Sequence, residues 1–542
     1  MKRITIIAIL LIFTFQVLGQ EKYFVSFKDK LGTPYTIGYP EQFLSSASIQ
    51  RRERQSISIN ETDLPVSPQY LHQLEETGAK VLYPLKWFNG AVLETYGAEM
   101  INQILGLESV LEVVQIFEPG IKGSPMPEED TYTIFTIAQE TDDYYFYGSS
   151  STQIKMMEGH SLHNNGFRGE GMTIAVLDAG FYKANTMPSL QNLWDNGRVI
   201  FTRDFVNPNS DIFEEHAHGM LVLSVLAGDM PGQLIGSAPE ANYILIRSED
   251  ANSEQIIEEY NWAAAAELAD SLGADIINSS LGYSRYDAPW QSHSYLDMDG
   301  KTTPAAKAAN FAGNKGILVV SSAGNEGSTE WKNITTPADA LNALAIGAVN
   351  SNGEYVYFSS IGPSADGRIK PDVVAMGSRT VAQVTNGQIA AVNGTSFSAP
   401  LVAGLAACLW QSNPNLTVKE IAQRIIRSSN TFTKPNNFVG YGIPNFSLAM
   451  EGLPNIPQGK NLHLFPNPTN ELVSFWLPSY LETDYSVGLY TITGTKIKQE
   501  FIPKTSIFYT LNIPEKYPPG LYIVKLMAGV EKKVGKVIKI SP

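Results

Sequence analysis

Between Asn393 and Trp410 the chain passes from a glycine-containing turn, Asn393-Gly394-Thr395-Ser396-Phe397-Ser398-Ala399-Pro400, into the apolar run Leu401 to Trp410. Gly394 permits a tight or strained approach, Pro400 fits the first turn of a helix, and the small and apolar residues after it read as a buried helix. Ser396 then sits at a helix N-terminus, where unsatisfied backbone N–H groups and the positive end of the helix dipole favour a developing negative charge. That setting suits a nucleophilic oxygen, and it equally suits an N-cap, for which serine is among the commonest choices.

A serine hydroxyl needs a base to take its proton, and the base needs a partner to fix its tautomer. Two upstream segments supply candidates. Met172 to Leu177 reads as a buried strand ending in Asp178-Ala179-Gly180, which sets a carboxylate at the carboxyl edge of a sheet. His216-Ala217-His218-Gly219 precedes the apolar run Met220 to Ala227, so His218 lies at the mouth of a second buried helix. The order Asp, His, Ser along the chain is the subtilisin order, whereas α/β-hydrolases put serine first.

These residues resemble the motifs of the subtilases, the subtilisin-like serine proteases. The resemblance is carried by Val176-Leu177-Asp178-Ala179-Gly180, His218-Gly219 with Val222 and Ala227-Gly228, Ser322-Ala323-Gly324-Asn325, and Gly394 to Pro400. It implies an α/β fold, with a parallel sheet, helices on both faces and the triad at the carboxyl edge. By the same resemblance Ser396 is the nucleophile, His218 the base, Asp178 its partner and Asn325 the oxyanion amide. Ser280, Leu281 and Gly282 match the strand that pairs with extended substrate, and Ser322, Ala323 and Gly324 match the opposite wall of the pocket. Two positions depart from the family pattern: Ala179 stands where Ser or Thr is usual and Met220 where Thr is usual, and each loses a hydroxyl that braces the site. Tyr283 replaces a small residue, and it either narrows a subsite or is carried to the surface by the loop Tyr283 to Gly300.

Around this core the chain divides into four parts. Lys2 and Arg3, the apolar run Ile4 to Phe15 and the small residue Gly19 have the layout of a signal peptide over residues 1–19, and the run is too short and interrupted to span a membrane. Residues 20–144 read as a small α+β domain followed by a polar, acidic linker (Glu118 to Asp143) suited to a processing cut; their position resembles that of a subtilase propeptide, which would act as an inhibitor. Residues 145–452 form the catalytic part, with alternating strands and helices that include a helix over Ser253 to Leu272 capped by Ser253 and stopped at Gly273. Residues 460–542 read as a small all-β sandwich. There Phe465-Pro466-Asn467-Pro468, Leu489 to Gly494 and Gly520 to Lys525 resemble the C-terminal sorting domain of type IX secretion, which implies the secretion machinery as a partner.

Charge and cysteine content narrow the function classes. With 39 basic and 54 acidic residues the net charge is -15, which disfavours nucleic acid or an anionic membrane as a partner. The run Arg51-Arg52-Glu53-Arg54 reads as one solvated helix face. The single cysteine, Cys408, excludes an intrachain disulfide and reads as a small core residue. His216 and His218, two residues apart, do not face each other on a helix, so no catalytic metal is expected. The resemblance leaves a structural calcium open without a ligand pattern to place it. The expected function is a secreted or cell-surface serine endopeptidase, made as a precursor, acting on protein or peptide substrates and requiring no cofactor for catalysis. The competing reading is a catalytically weak, surface-anchored binding protein that keeps the fold, and Ala179 and Met220 are what hold it open.

Overall fold

The computed structural model describes residues 20–121, 123, 125, 126, 131–133, 142–452, 462, 464, 467–477, 484–502, 508–529 and 531–541. The signal-peptide expectation, parts of both linkers, and Phe465-Pro466 lie outside the described residues.

The N-terminal part contains β1 (Glu21–Phe27), α1 (Ser46–Arg54), α2 (Pro68–Glu76), β2 (Lys80–Leu85), β3 (Gly90–Thr95), α3 (Ala98–Leu105) and β4 (Val110–Phe117). The strands form an antiparallel sheet in the order β2-β3-β1-β4. Alternation along β1 divides its side chains between two cores: Val25 and Phe27 pack with Leu74 and Ile104 beneath α2 and α3, while Phe24 packs outward against the following domain.

The central part begins with β5 (Thr173–Asp178), β6 (Val199–Asp204), α4 (His218–Ala227), β7 (Asn242–Arg247) and α5 (Ile257–Leu272). It continues with β8 (Ile276–Ser279), α6 (Pro304–Asn314), β9 (Leu318–Ser322), β10 (Ala343–Val349), β11 (Val373–Met376), α7 (Thr395–Ser412) and α8 (Val418–Arg427). Seven strands pair in parallel in the order β11-β10-β9-β8-β5-β7-β6. The centre of the sheet is covered on both faces while the edge strand β6 is largely exposed, and β5 is accordingly apolar from Ile174 to Leu177: Ile174 and Val176 enter the core with α4 and α7, and Ala175 and Leu177 enter the core with α5 and α6. From β5 the chain goes first to one side of the sheet (β6 at the edge, then β7 beside β5) and then to the other (β8 to β11 in order), so the connections part at β5, whose carboxyl end carries Asp178, and a crevice opens there.

Several local readings of the sequence change. Helix α7 starts at Thr395, so Pro400 lies inside the helix and not in its first turn. Proline has no N–H to give to the Ser396 carbonyl one turn back, and the Ser280 hydroxyl donates to that carbonyl instead at 2.8 Å. The expected helix from Ser253 starts only at Ile257. The residues before it are held by other elements: the Glu254 amide donates to Asp287, and the Ile256 amide to the Gln291 side chain. Gly273 ends α5 in the left-handed conformation at φ 94°.

The largest correction concerns Arg51 and Arg52, which are sealed from solvent rather than displayed on a wet face. Arg51 donates to Asp270 Oδ1 at 2.5 Å, and Arg52 donates to Asp63 at 2.8 Å and to Asp270 Oδ2 at 2.9 Å. Lys86 reaches Asp270 Oδ2 at 3.4 Å and Lys315 reaches Asp63 at 2.8 Å. Asp270 sits on α5, more than two hundred residues away in sequence, so the N-terminal sheet and α1 are bolted to α5 by buried charge as well as by apolar packing.

The C-terminal part contains a two-stranded sheet, Leu472–Trp476 with Phe508–Asn512, and a four-stranded sheet ordered Lys496–Ile502, Tyr485–Thr491, Gly520–Ala528, Glu531–Lys539. All pairings are antiparallel, and the sheets share a core that includes Val473, Phe475, Val487, Leu489, Val524 and Leu526. Among the described residues no helix is long and apolar enough to cross a membrane.

Candidate active site

Asp178 ends β5 and His218 opens α4, and the close approach of these two elements depends on Gly219. A Cβ there would stand 2.4 Å from the Gly180 carbonyl oxygen and 2.9 Å from Asp178 Cβ. The approach lets His218 Nδ1 donate to Asp178 Oδ1 at 2.7 Å, with both groups buried. That bond makes Nε2 the basic nitrogen of the imidazole. The Ala179 amide also donates to Oδ1, at 2.8 Å, whereas Oδ2 has no hydrogen-bond partner among the described residues. Ala179, which has no hydroxyl, follows this carboxylate in the chain.

Ser396 is the second residue of α7. Gly394 is the N-cap, with φ 145° and no side-chain cap bond, so the serine is not spent on capping. Its Oγ donates to the Ser280 carbonyl at 3.3 Å, while its own carbonyl is the one freed by Pro400 and taken by Ser280 Oγ. Two reciprocal bonds thus fix the start of α7 against the end of β8. Asn325 is clamped from its oxygen end: Oδ1 accepts from the Thr395 amide at 2.9 Å and from Thr395 Oγ1 at 3.0 Å, which leaves the NH2 group for the cleft.

His218, Ser396, Asn325, Ser280, Leu281 and Gly282 all line one cleft of about 610 Å³. The segment Ser322 to Gly324 is tied to the two that carry Leu281 and Ser396: the Ser322 hydroxyl donates to the Leu281 carbonyl at 3.5 Å and the Gly324 amide to Thr395 Oγ1 at 3.3 Å. Gly282 is required for a reason other than substrate approach, since a Cβ there would come 2.2 Å from Thr335 Oγ1. Tyr283 is fully buried and its backbone pairs with Thr336, which rules out the surface reading. Cys408 is buried within α7, and burial pushes its thiol far above the ordinary range.

The sequence alone did not single out four contributors. Arg247, level with Asp178 on the neighbouring strand, donates to the Ala179 carbonyl at 3.0 Å and pairs with Asp204 and Glu215, which holds the turn after Asp178. A charged residue closing the apolar run Tyr243 to Ile246 was its signal. Thr395 orients Asn325, and nothing in its type announced that. Glu249 lines the cleft, and burial, then the Asp178 carboxylate, pushes its pKa up to about 8, against an opposing pull from His218. Glu254 lines the same cleft and is raised well above the carboxylate range, by burial first and then by Glu249. Among the described residues no group of three or more His, Cys, Asp or Glu side chains could hold a metal ion, so no calcium ligands are assigned.

The expected linker is in part tied down. The Glu118 amide donates to the Gln255 side chain at 2.9 Å, the Met126 amide to the Ala251 carbonyl at 2.7 Å, and Pro125 and Met126 line the cleft itself. The N-terminal domain therefore delivers its own chain to the cleft that holds Ser396.

A buried Asp–His pair and a serine at a helix N-terminus, brought to the carboxyl edge of a parallel sheet, define a serine-hydrolase site on an α/β fold. Comparison with known families narrows this class. Residues 169–442, half of the chain, match the subtilase family, residues 22–128 match the peptidase S8 propeptide domain of Bacteroidota, and residues 463–540 match a secretion system C-terminal sorting domain. The chain belongs to the subtilase family. It is similar to the thermophilic serine proteinase of Bacillus sp. (strain AK1), at 33% identity over 50% of this chain and 60% of that protein. It is also similar to serine protease AprX of Bacillus subtilis (strain 168), at 29% over 52% of this chain and 67% of that protein, and to subtilisin NAT of Bacillus subtilis subsp. natto, at 27% over 70% and 85%.

Proposed function

We propose that this chain is a secreted serine endopeptidase, made as a precursor, that hydrolyses peptide bonds in protein substrates. The observation that carries the reading is the 2.7 Å Asp178–His218 bond, with His218, Ser396 and the clamped Asn325 amide lining one cleft. Ser396 Oγ attacks the scissile carbonyl while His218 Nε2 takes its proton and later returns it to the leaving amine. Asp178 holds the imidazole and stabilises its charged form, and Asn325 Nδ2 with the Ser396 amide binds the oxygen of the tetrahedral intermediate. Water then releases the acyl-enzyme. Residues 20–144 serve as propeptide and linker, 145–452 as the catalytic domain, and 460–542 as the sorting domain after a signal peptide at 1–19. Leu281 and Gly282 form one wall of the substrate cleft.

Fluorophosphonate labelling of the processed protein beside a Ser396→Ala control, with casein hydrolysis in parallel, tests the reading. Labelling and digestion by the wild type alone support it. A processed, folded wild type that does neither overturns it in favour of a binding role.

A further inference from the structure

Thr131–Tyr132 forms a short antiparallel strand on Ile389–Val392, with Tyr132 opposite Ala391 and Thr131 opposite Val392. The other neighbour of Ile389–Val392 is Thr380–Gln383, so without Thr131–Tyr132 this strand is a sheet edge with unpaired N–H and C=O groups. It runs straight into Asn393 and from there to Ser396. The contacts beyond the ladder are chemically specific. The Arg379 guanidinium lies 5.1 Å from the centre of the Tyr132 ring, and Asn393 Nδ2 donates to the Tyr132 hydroxyl at 3.0 Å. Arg379 holds φ 58°, and its backbone N–H donates to Asn393 Oδ1 at 2.8 Å, which turns the Asn393 NH2 group toward the ring. Arg379 also donates to the Thr133 carbonyl at 3.5 Å. On the far wall of the cleft the Met126 amide bonds to Ala251. The chain thus approaches along Ala251 and departs along Val392, with Ser396 lining the cleft between.

We propose that the edge strand Ile389–Val392, with Arg379 and Asn393, receives the part of a protein substrate that lies beyond the scissile bond, and that it selects an aromatic side chain there. The proposal rests on the endopeptidase reading above. The occupant is an extended peptide: the strand edge supplies main-chain hydrogen bonds, and Arg379 stacked on a ring with Asn393 at its rim supplies selectivity. In the precursor Thr131–Thr133 takes this place. Two residue pairs, one cation–π contact and the hydrogen bonds from Asn393 and Arg379 hold it, and a longer substrate strand that makes more main-chain pairs displaces it.

The test uses the processed protein and three kinds of substrate: peptides identical up to the scissile bond and carrying Tyr, Ala or Asp at successive positions beyond it, and a p-nitroanilide with no residues beyond it. The wild type is expected to favour Tyr over Ala by about threefold to tenfold in kcat/KM at one position. Arg379→Ala and Arg379→Gln are both expected to bring that ratio close to one while leaving p-nitroanilide turnover unchanged. A ratio near one in the wild type, a ratio unaffected by either variant, or a preference for Asp over Tyr overturns the proposal. Absence of p-nitroanilide and peptide turnover in the wild type is a different result: it overturns the endopeptidase reading and this inference with it.

Discussion

Replacing Asp270 by asparagine should loosen the N-terminal domain at its interface with α5. The carboxylate is sealed from solvent and takes Arg51 on Oδ1, with Arg52 and Lys86 on Oδ2. Arg52 keeps Asp63 in the variant, but Arg51 is left fully buried without a carboxylate, facing only neutral acceptors: the Lys315 and Ala274 carbonyls, the main-chain carbonyl of position 270, the Ser48 hydroxyl and the amide oxygen that replaces the carboxylate. Breaking a buried ion pair from one side costs about 3–5 kcal/mol, because the remaining charge has lost its partner and cannot reach water. The opening equilibrium of α1 should therefore rise by roughly 10²–10³ or more, at about 1.4 kcal/mol per factor of ten. Hydrogen exchange of the α1 amides in an uncleaved Ser396→Ala precursor reads this local equilibrium without assuming two-state unfolding of a multidomain chain. A double-mutant cycle with Arg51→Met supplies the check. Removing both charges should recover much of the loss, so the two substitutions should be non-additive by at least about 1 kcal/mol. Strict additivity, or an Asp270→Asn effect below tenfold, would refute the reasoning. The pH dependence has a definite sign. Burial works against ionisation of Asp270, but Lys86, Arg51 and Arg52 outweigh it and hold the carboxyl well below its ordinary value of 3.8. A depressed carboxyl stabilises above its unfolded pKa and loses that contribution only as pH falls through the folded one, so its contribution to α1 protection should persist at pH 4.

Three further outcomes follow from single groups. Ala179→Ser places a hydroxyl beside the unpartnered Asp178 Oδ2, and one added hydrogen bond of about 1 kcal/mol should raise peptide kcat/KM about fivefold; an unchanged or lower value means the bare oxygen is no handicap. His163 is buried, accepts from Tyr147 at 2.7 Å and donates to the Ser237 carbonyl at 3.1 Å, and burial lowers its pKa from 6.5 to about 4. The unfolded chain binds a proton there that the folded chain refuses, so stability falls by about 3 kcal/mol as pH drops from 6.5 to 4; His163→Gln should flatten that slope, and an identical slope in the variant sinks the assignment. Glu249, raised to about 8, has the opposite sign: between 4.5 and 8 the folded state keeps a proton that the unfolded state has released, so stability falls as pH rises. Glu249→Gln should therefore increase Tm more at pH 8 than at pH 5, and equal shifts at both would contradict it.

What the sequence disclosed and what it withheld divide along a physical line. Asp178, His218 and Ser396 were legible because each is a polar residue at the end of an apolar run, where burial demands a purpose for it. Their supports were not, because a support is defined by distance in space. A first-turn place for Pro400 fails for that reason: a mid-helix proline is normally excluded by its missing N–H, and here the Ser280 hydroxyl, over a hundred residues upstream, satisfies the Ser396 carbonyl that it abandons. The same reasoning covers the end of α5, where Gly273 announced the stop in its own identity but the start was set by Asp287 and Gln291.

Arg51 and Arg52 carry the point furthest. A cluster of arginines on a short helix is the ordinary mark of a wet surface, and nothing within fifty residues on either side supplies more than one of the carboxylates they need, Asp63. The other, Asp270, lies on a helix of the catalytic domain. The N-terminal domain therefore cannot bury these charges by itself. Its α1 surface is complete only when docked on α5, because Arg52 has Asp63 within its own domain but Arg51 finds its carboxylate only in Asp270. That complementarity is the physical content of a propeptide that recognises its own enzyme.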